Sequence, residues 1–226
     1  MKMKQQKQIK KFLQEEFGED KGRALFDRQD KTLIDLIEHI ENKTKNQRKT
    51  LIQTILPRIA LYKSLQEEKL EQQVIHGYMQ KYMLDMVAAQ KHASTAKMEK
   101  VPGFYTIYSH IFLKIMRTTD LWESVQEHDK NSFDATITTC LWHTACVENG
   151  CPELCPLFCD VDDVTYGGLK KWALPEQKPW GMVGIAVIFI FIENSEKDFE
   201  GNKHLQSPFF GTYNWFIMKL VEQLTL

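Results

Sequence analysis

Residues 151–169 read CPELCPLFCDVDDVTYGGL. Cys151, Cys155 and Cys159 recur every four residues, and Asp160, Asp162 and Asp163 crowd behind the last of them. Cys140 and His143 stand three apart just upstream. Positions three or four apart share one face of a helix. Cys155, Cys159 and Asp163 therefore fall on one stripe with Asp162 beside it, and Cys140 and His143 fall together on a preceding helix. If those helices pack antiparallel, Cys140, His143, Cys159 and Asp163 converge.

Such a group supports three chemistries. Thiolate and imidazole ligands suit zinc or another divalent metal, with a carboxylate or water completing the shell. The same four residues are the metal candidates, although their spacing matches no standard zinc pattern. A cysteine at a helix start beside a histidine is an activated nucleophile. Asp160, Asp162 or Asp163 could move protons at a substrate C–N bond. The alternative is plain packing, because free cysteine is among the most buried residue types. His76 and His110 lie in helical stripes and read as structural. Trp142, Trp172, Trp180 and Trp215 read as core or rim aromatics.

The composition narrows the classes. The chain has 226 residues, 43% apolar and 26% charged, with a formal net charge of -1. No basic field favours nucleic acid. The five cysteines all lie between Cys140 and Cys159. An odd number argues against a disulfide framework. MKMKQQKQIKK at the start is lysine-rich without a following apolar stretch, unlike a secretory signal. The longest apolar run, Gly181 to Ile192, is far short of the ~20 residues that span a bilayer as a helix. These features predict a cytoplasmic protein with no membrane partner.

The elements that must position the cluster follow from periodicity. Ile9, Phe12, Leu13 and Phe17 predict a helix ended by Gly18. Leu33, Ile34, Ile37 and Ile40 form a second stripe. Leu51 to Tyr62 forms a third, with a kink or broken turn expected at Pro57. Val74 to Val87 forms a fourth, whose methionines and tyrosines predict core packing over a ligand groove. Lys91 to Lys100 reads as a linker, and Phe104 to Ile115 as a fifth helix. Leu121–Glu127 and Ser132–Thr139 predict two strands around a polar turn. Cys140–Asn149 and Glu153–Tyr166 predict helices ended by Gly150 and Gly167-Gly168. Val183–Ile192 predicts a doubly covered strand and Phe209–Leu224 a final helix. The fold class expected is α+β. A helical part (1–118) packs on an α/β part (119–226) in one domain, with a small mostly antiparallel sheet and the cysteine-bearing helices.

Two stretches resemble a known family. ILPRIALYKSLQEE, Ile55 to Glu68, is similar to the front-half signature of the L-2-amino-thiazoline-4-carboxylic acid hydrolases. FDATITTCLWH with CPELCPLFCDVDD, Phe133 to His143 and Cys151 to Asp163, resembles their cysteine opening a helix, then Pro-Glu-Leu, then Cys and Asp. FLQEEFGED, Phe12 to Asp20, is a weaker third, extending the likeness over roughly residues 10 to 195. The resemblance implies a hydrolase that opens a cyclic isothiourea or amidine. Water or an enzyme nucleophile attacks the carbon between ring sulfur and nitrogen. An acid protonates the departing nitrogen, and a cation holds the substrate carboxylate. Its partner would be a small carboxylated heterocycle. Matching positions carry over Cys140, Cys159 and Asp163. The chain departs from the family at VGIAVIF, Val183 to Phe189, where Ile185, Val187 and Ile188 replace the Asp, Cys and Asp expected there. That departure motivates the alternative of a non-catalytic small-molecule binding or sensing domain.

Overall fold

The computed structural model describes residues 4–100, 110–111, 114–115, 117–128 and 133–169. Helices α1 (Lys4–Phe17) and α2 (Glu19–Glu38) fold back on each other about Gly18. Gly18 has φ 81°, a left-handed conformation that a side chain disfavours. At Gly22 a Cβ would stand 2.5 Å from the Leu13 carbonyl oxygen, so glycine permits this close helix contact. Leu33, Ile34 and Ile37 of the second stripe belong to a longer helix than the apolar residues outline, and Ile40 falls just past its end. Leu25, Gln29 and Leu33 continue the buried line of α2 toward its start.

Next come α3 (Lys45–Thr50), a π-helical turn (Leu51–Ile55) and α4 (Leu56–Gln66), joined end to end. Thr44 and Gln47 cap α3 reciprocally through side chain and backbone. Pro57 has no N–H to offer the Gln53 carbonyl. The chain widens before it, and the Leu56 N–H bonds back to the Leu51 oxygen. With the Gln5 amide assigned so that its oxygen faces Arg58 Nε, its nitrogen donates to the Gln53 oxygen at 2.6 Å, supplying the missing donor from α1. The kink expected at Pro57 is thus a π turn that the tertiary structure satisfies.

A second rod comprises α5 (Gln72–Gln80), a π-helical segment (Lys81–Ala88) and α6 (Ala89–Met98). The expected linker at Lys91 to Lys100 is therefore mostly helix. Its alanines, lysines, methionine and glutamate are strong helix formers, and its polar residues are mostly half-buried against neighbouring elements, with Lys97 exposed. Thr95 is buried, and its hydroxyl donates to the Lys91 carbonyl at 3.0 Å.

The described positions from 110 to 118 are helical, as expected, whereas Phe104 and Tyr108 lie outside the described residues. Strands β1 (Trp122–His128) and β2 (Phe133–Cys140) pair antiparallel, with an irregularity at Glu123/Ser124. β2 leads directly into α7 (Leu141–Glu148). The helix expected over Glu153–Tyr166 begins as a 3-10 turn (Pro152–Leu154) and continues as α8 (Cys155–Tyr166). Gly168, with φ 73°, follows its end. The stretches Val183–Ile192 and Phe209–Leu224 lie outside the described residues. The described architecture is α+β with helices dominant and a two-stranded antiparallel sheet.

The core collects Phe12 and Leu13 of α1, Ile59 and Leu61 of α4, and Leu157 and Phe158 of α8. Met79, Tyr82 and Met83 join it, so the fourth stripe packs as core. Full burial of each large apolar side chain contributes about 1.5–3 kcal/mol. From Leu56 to Tyr62 every residue of α4 is buried. A helix covered on all sides has no solvent face on which to place a charge, yet it carries Arg58. α8 packs against the Lys81–Ala88 segment and α6. There the His92 Nδ1–H donates to the Thr165 carbonyl at 3.0 Å.

Candidate active site

Cys140 ends β2 opposite Trp122 and flanks the start of α7 in extended conformation. It is half-buried, and burial pushes its thiol up to about 11, partly offset by the backbone N–H groups of His143 and Trp142. Cys159 is half-buried on α8. Burial also raises its thiol well above the ordinary range, helped by the fields of Cys155, Asp162 and Cys140. Cys140 in turn feels Cys155 and Asp162. These four side chains therefore share one neighbourhood, where the end of β2 meets α8.

The other predicted residues stand on or between α7 and α8. His143 is half-buried on the first turn of α7. Asp163 is half-buried, and its carboxyl is raised by burial and by the Asp160 charge. Asp160 is raised by burial, with His76 acting in the opposite sense. Cys146, Cys151 and Cys155 are at most 2% exposed. The Cys146 thiol lies against the other two, and hydrogen bonding to them raises it. All five cysteines are free. Among the described residues, no group of three or more His, Cys, Asp or Glu is arranged to hold a metal ion.

Asp162 links the thiols to a second group. Burial pushes its carboxyl up to about 6, with the adjacent Asp163 charge adding to this and Lys91 and Arg58 opposing it. Lys91, on α6, is pushed down to about 8, chiefly by burial, with Asp162 acting in the opposite sense. Arg58 is only 4% exposed, and its guanidinium lies 5.4 Å from the centroid of the Phe158 ring. A cation over an aromatic face gains modest attraction, and Arg58 Nε also donates to the Gln5 oxygen at 2.8 Å. Tyr82 is fully buried beside Arg58, and burial pushes its hydroxyl up to about 12.

Sequence reasoning missed Arg58, Lys91 and Tyr82 as members of this group. The signal for Arg58 was present: it is the one charge in the apolar run LPRIALY. Lys91 was hidden by its polar neighbours, and Tyr82 by an apolar stripe that is mostly core.

Residues 47–175, more than half of the chain, match the L-2-amino-thiazoline-4-carboxylic acid hydrolase family. The chain belongs to this family. No curated protein and no solved structure matches it. The family match is narrower than the resemblance suggested and leaves out Phe12 to Asp20. It contains Arg58, Tyr82, Lys91, Cys140, Cys159 and Asp162, and it ends before the aliphatic stretch at Val183. As a hydrolase-family chain, it carries its buried charges within the part that defines the family.

Proposed function

We propose that the chain hydrolyses a C–N bond in a small carboxylated cyclic amidine or isothiourea of the aminothiazoline carboxylate type. The observation that carries this reading is the half-buried Asp162 carboxyl, poised at about 6 in the neighbourhood of Cys140 and Cys159. A group with such a pKa serves as base and then acid near neutrality. Family membership over residues 47–175 supports the reaction class.

In this scheme water adds to the amidine carbon between ring sulfur and nitrogen, and its proton passes to the Asp162 carboxylate. The tetrahedral carbon then breaks its bond to the ring nitrogen, which takes that proton from Asp162 and also the hydroxyl proton released as the carbon becomes a carbonyl. Overall, one water is added and the ring opens. Asp163, adjacent and also raised, helps to hold the proton on the pair. Burial keeps the Cys140 and Cys159 thiols protonated at neutral pH. This favours water as the attacking group, because a thiol would first have to lose its proton to His143. We assign Cys140, His143 and Cys159 to the wall of the site, where they position the ring.

The test is ring opening of the aminothiazoline carboxylate by the purified protein, beside Asp162→Asn and Cys159→Ala. Asp162→Asn is expected to lower kcat by about 100-fold, the usual loss with a general acid–base group. Cys159→Ala is expected to lower turnover less. No turnover by the unaltered chain, or full turnover by Asp162→Asn, would overturn the proposal.

A further inference from the structure

The Arg58 guanidinium is almost wholly buried, yet no carboxylate among the described residues comes within 4.0 Å of it. Its one hydrogen bond among the described residues is from Nε to Gln5, which leaves the Nη edge without an acceptor there. Asp162 is felt only as a weak opposing charge. Next to Arg58, the fully buried Tyr82 hydroxyl, with the Gln5 side chain beside it, has no hydrogen bond of ordinary geometry among the described residues, and neither has the Thr54 hydroxyl one turn earlier along the same rod. Buried polar groups are nearly always satisfied, and a buried cation without a counter-charge is more costly still. Two neighbouring donors that find no acceptor among the described residues match the outline of a small planar anion. A guanidinium edge binds a carboxylate through two parallel hydrogen bonds.

The place also suits a substrate. Phe158 covers one side of the guanidinium. Phe158 and Asp162 are four apart on α8 and share a face of the helix. Asp162 feels both Lys91 and Arg58, and Asp162 and Lys91 keep part of their surface in solvent, so water reaches the neighbourhood of the buried donors. We infer that Arg58 and Tyr82 form the carboxylate-binding subsite, which receives a small ring acid and presents its ring to Asp162. This assignment rests on the hydrolase reading for its choice of ring, while the anion site stands on the donors alone. Arg58 and Tyr82 would be binding residues and would take no part in proton transfer.

The experiment measures binding and turnover separately, on the full chain, with the aminothiazoline carboxylate and its carboxamide. Calorimetry is expected to show the carboxylate binding roughly 10- to 100-fold more tightly than the carboxamide, as charged hydrogen bonds predict. Arg58→Met should abolish that preference, and kcat/KM should fall for the carboxylate but hardly at all for the carboxamide. Tyr82→Phe removes only a hydroxyl without an ordinary hydrogen bond among the described residues and so retains the fold; it should weaken carboxylate binding several-fold. Binding with this preference but without turnover would sink the hydrolase reading and sustain the subsite. Turnover with equal losses on both ligands in Arg58→Met, and with unchanged binding in Tyr82→Phe, would sink the subsite and leave the hydrolase reading standing. Failure of the unaltered chain to bind either ligand would overturn both.

Discussion

Replacing Asp162 by asparagine removes a carboxyl that the fold holds at a cost. Its value rises from 3.8 to about 6 in the folded chain, mainly through burial. A raised folded value means that the group's contribution is fully present below 3.8 and is lost as pH rises through about 6. The full loss corresponds to about 3 kcal/mol. About 1 kcal/mol of it is already gone at about pH 4.5, so about 2 kcal/mol should disappear between there and about pH 7. Lys91, held at about 8, stays largely protonated across that window in the unaltered chain, so it adds little pH dependence. The assay is urea unfolding of both proteins at the two pH values, followed by far-ultraviolet circular dichroism. Asp162→Asn should gain about 2 kcal/mol relative to the unaltered chain on going from the lower to the higher pH. A stability difference that stays constant across the window would mean that Asp162 is solvated in the fold. Asp162 would then not be poised to carry a proton near neutrality either.

Four further outcomes are expected. Turnover should decline below about pH 6, where Asp162 becomes protonated and cannot take the first proton; a pH profile of kcat/KM tests this. A thiol-reactive disulfide reagent should label at most Cys140 and Cys159 quickly in the native chain. Cys146, Cys151 and Cys155 should react only on unfolding, as mass spectrometry of the adducts would reveal. Gly22→Ala should destabilise by about 1–3 kcal/mol, because its Cβ meets the Leu13 carbonyl at 2.5 Å; thermal unfolding measures it. Gln5→Ala should cost about 1–3 kcal/mol by leaving the Gln53 carbonyl and Arg58 Nε unpaired, and chemical denaturation checks this.

Much of the frame is legible in the residues. The stripes at Ile9 to Phe17 and Val74 to Val87 report buried faces directly, since a helix that buries one side must repeat its apolar positions. The two strands before Cys140 lie within a residue of their expected bounds, because alternation and a polar turn are local signals. The reading failed where polarity was mistaken for irregularity. Lys91 to Met98 is helical because its alanines, lysines and methionine favour a helix, and polar residues such as His92 and Thr95 find partners where it packs. Ala88, Val87 and Met83, just before it, supply the packing that holds it.

The residues alone also determined the chemistry available: thiols at a strand–helix junction, carboxylates one turn further along α8, and one arginine within an apolar run. Family membership lies in the same order and spacing. Which carboxylate meets which cation was decided only by tertiary packing. Helical spacing placed Asp163 on the cysteine stripe with Asp162 beside it. The packing of α8 on α6, with Arg58 of α4 reaching the Phe158 ring, brings Asp162 toward Arg58 and Lys91. The reason is that local periodicity sets the faces of one helix, whereas a charge acquires its pKa from the neighbouring helices that bury it.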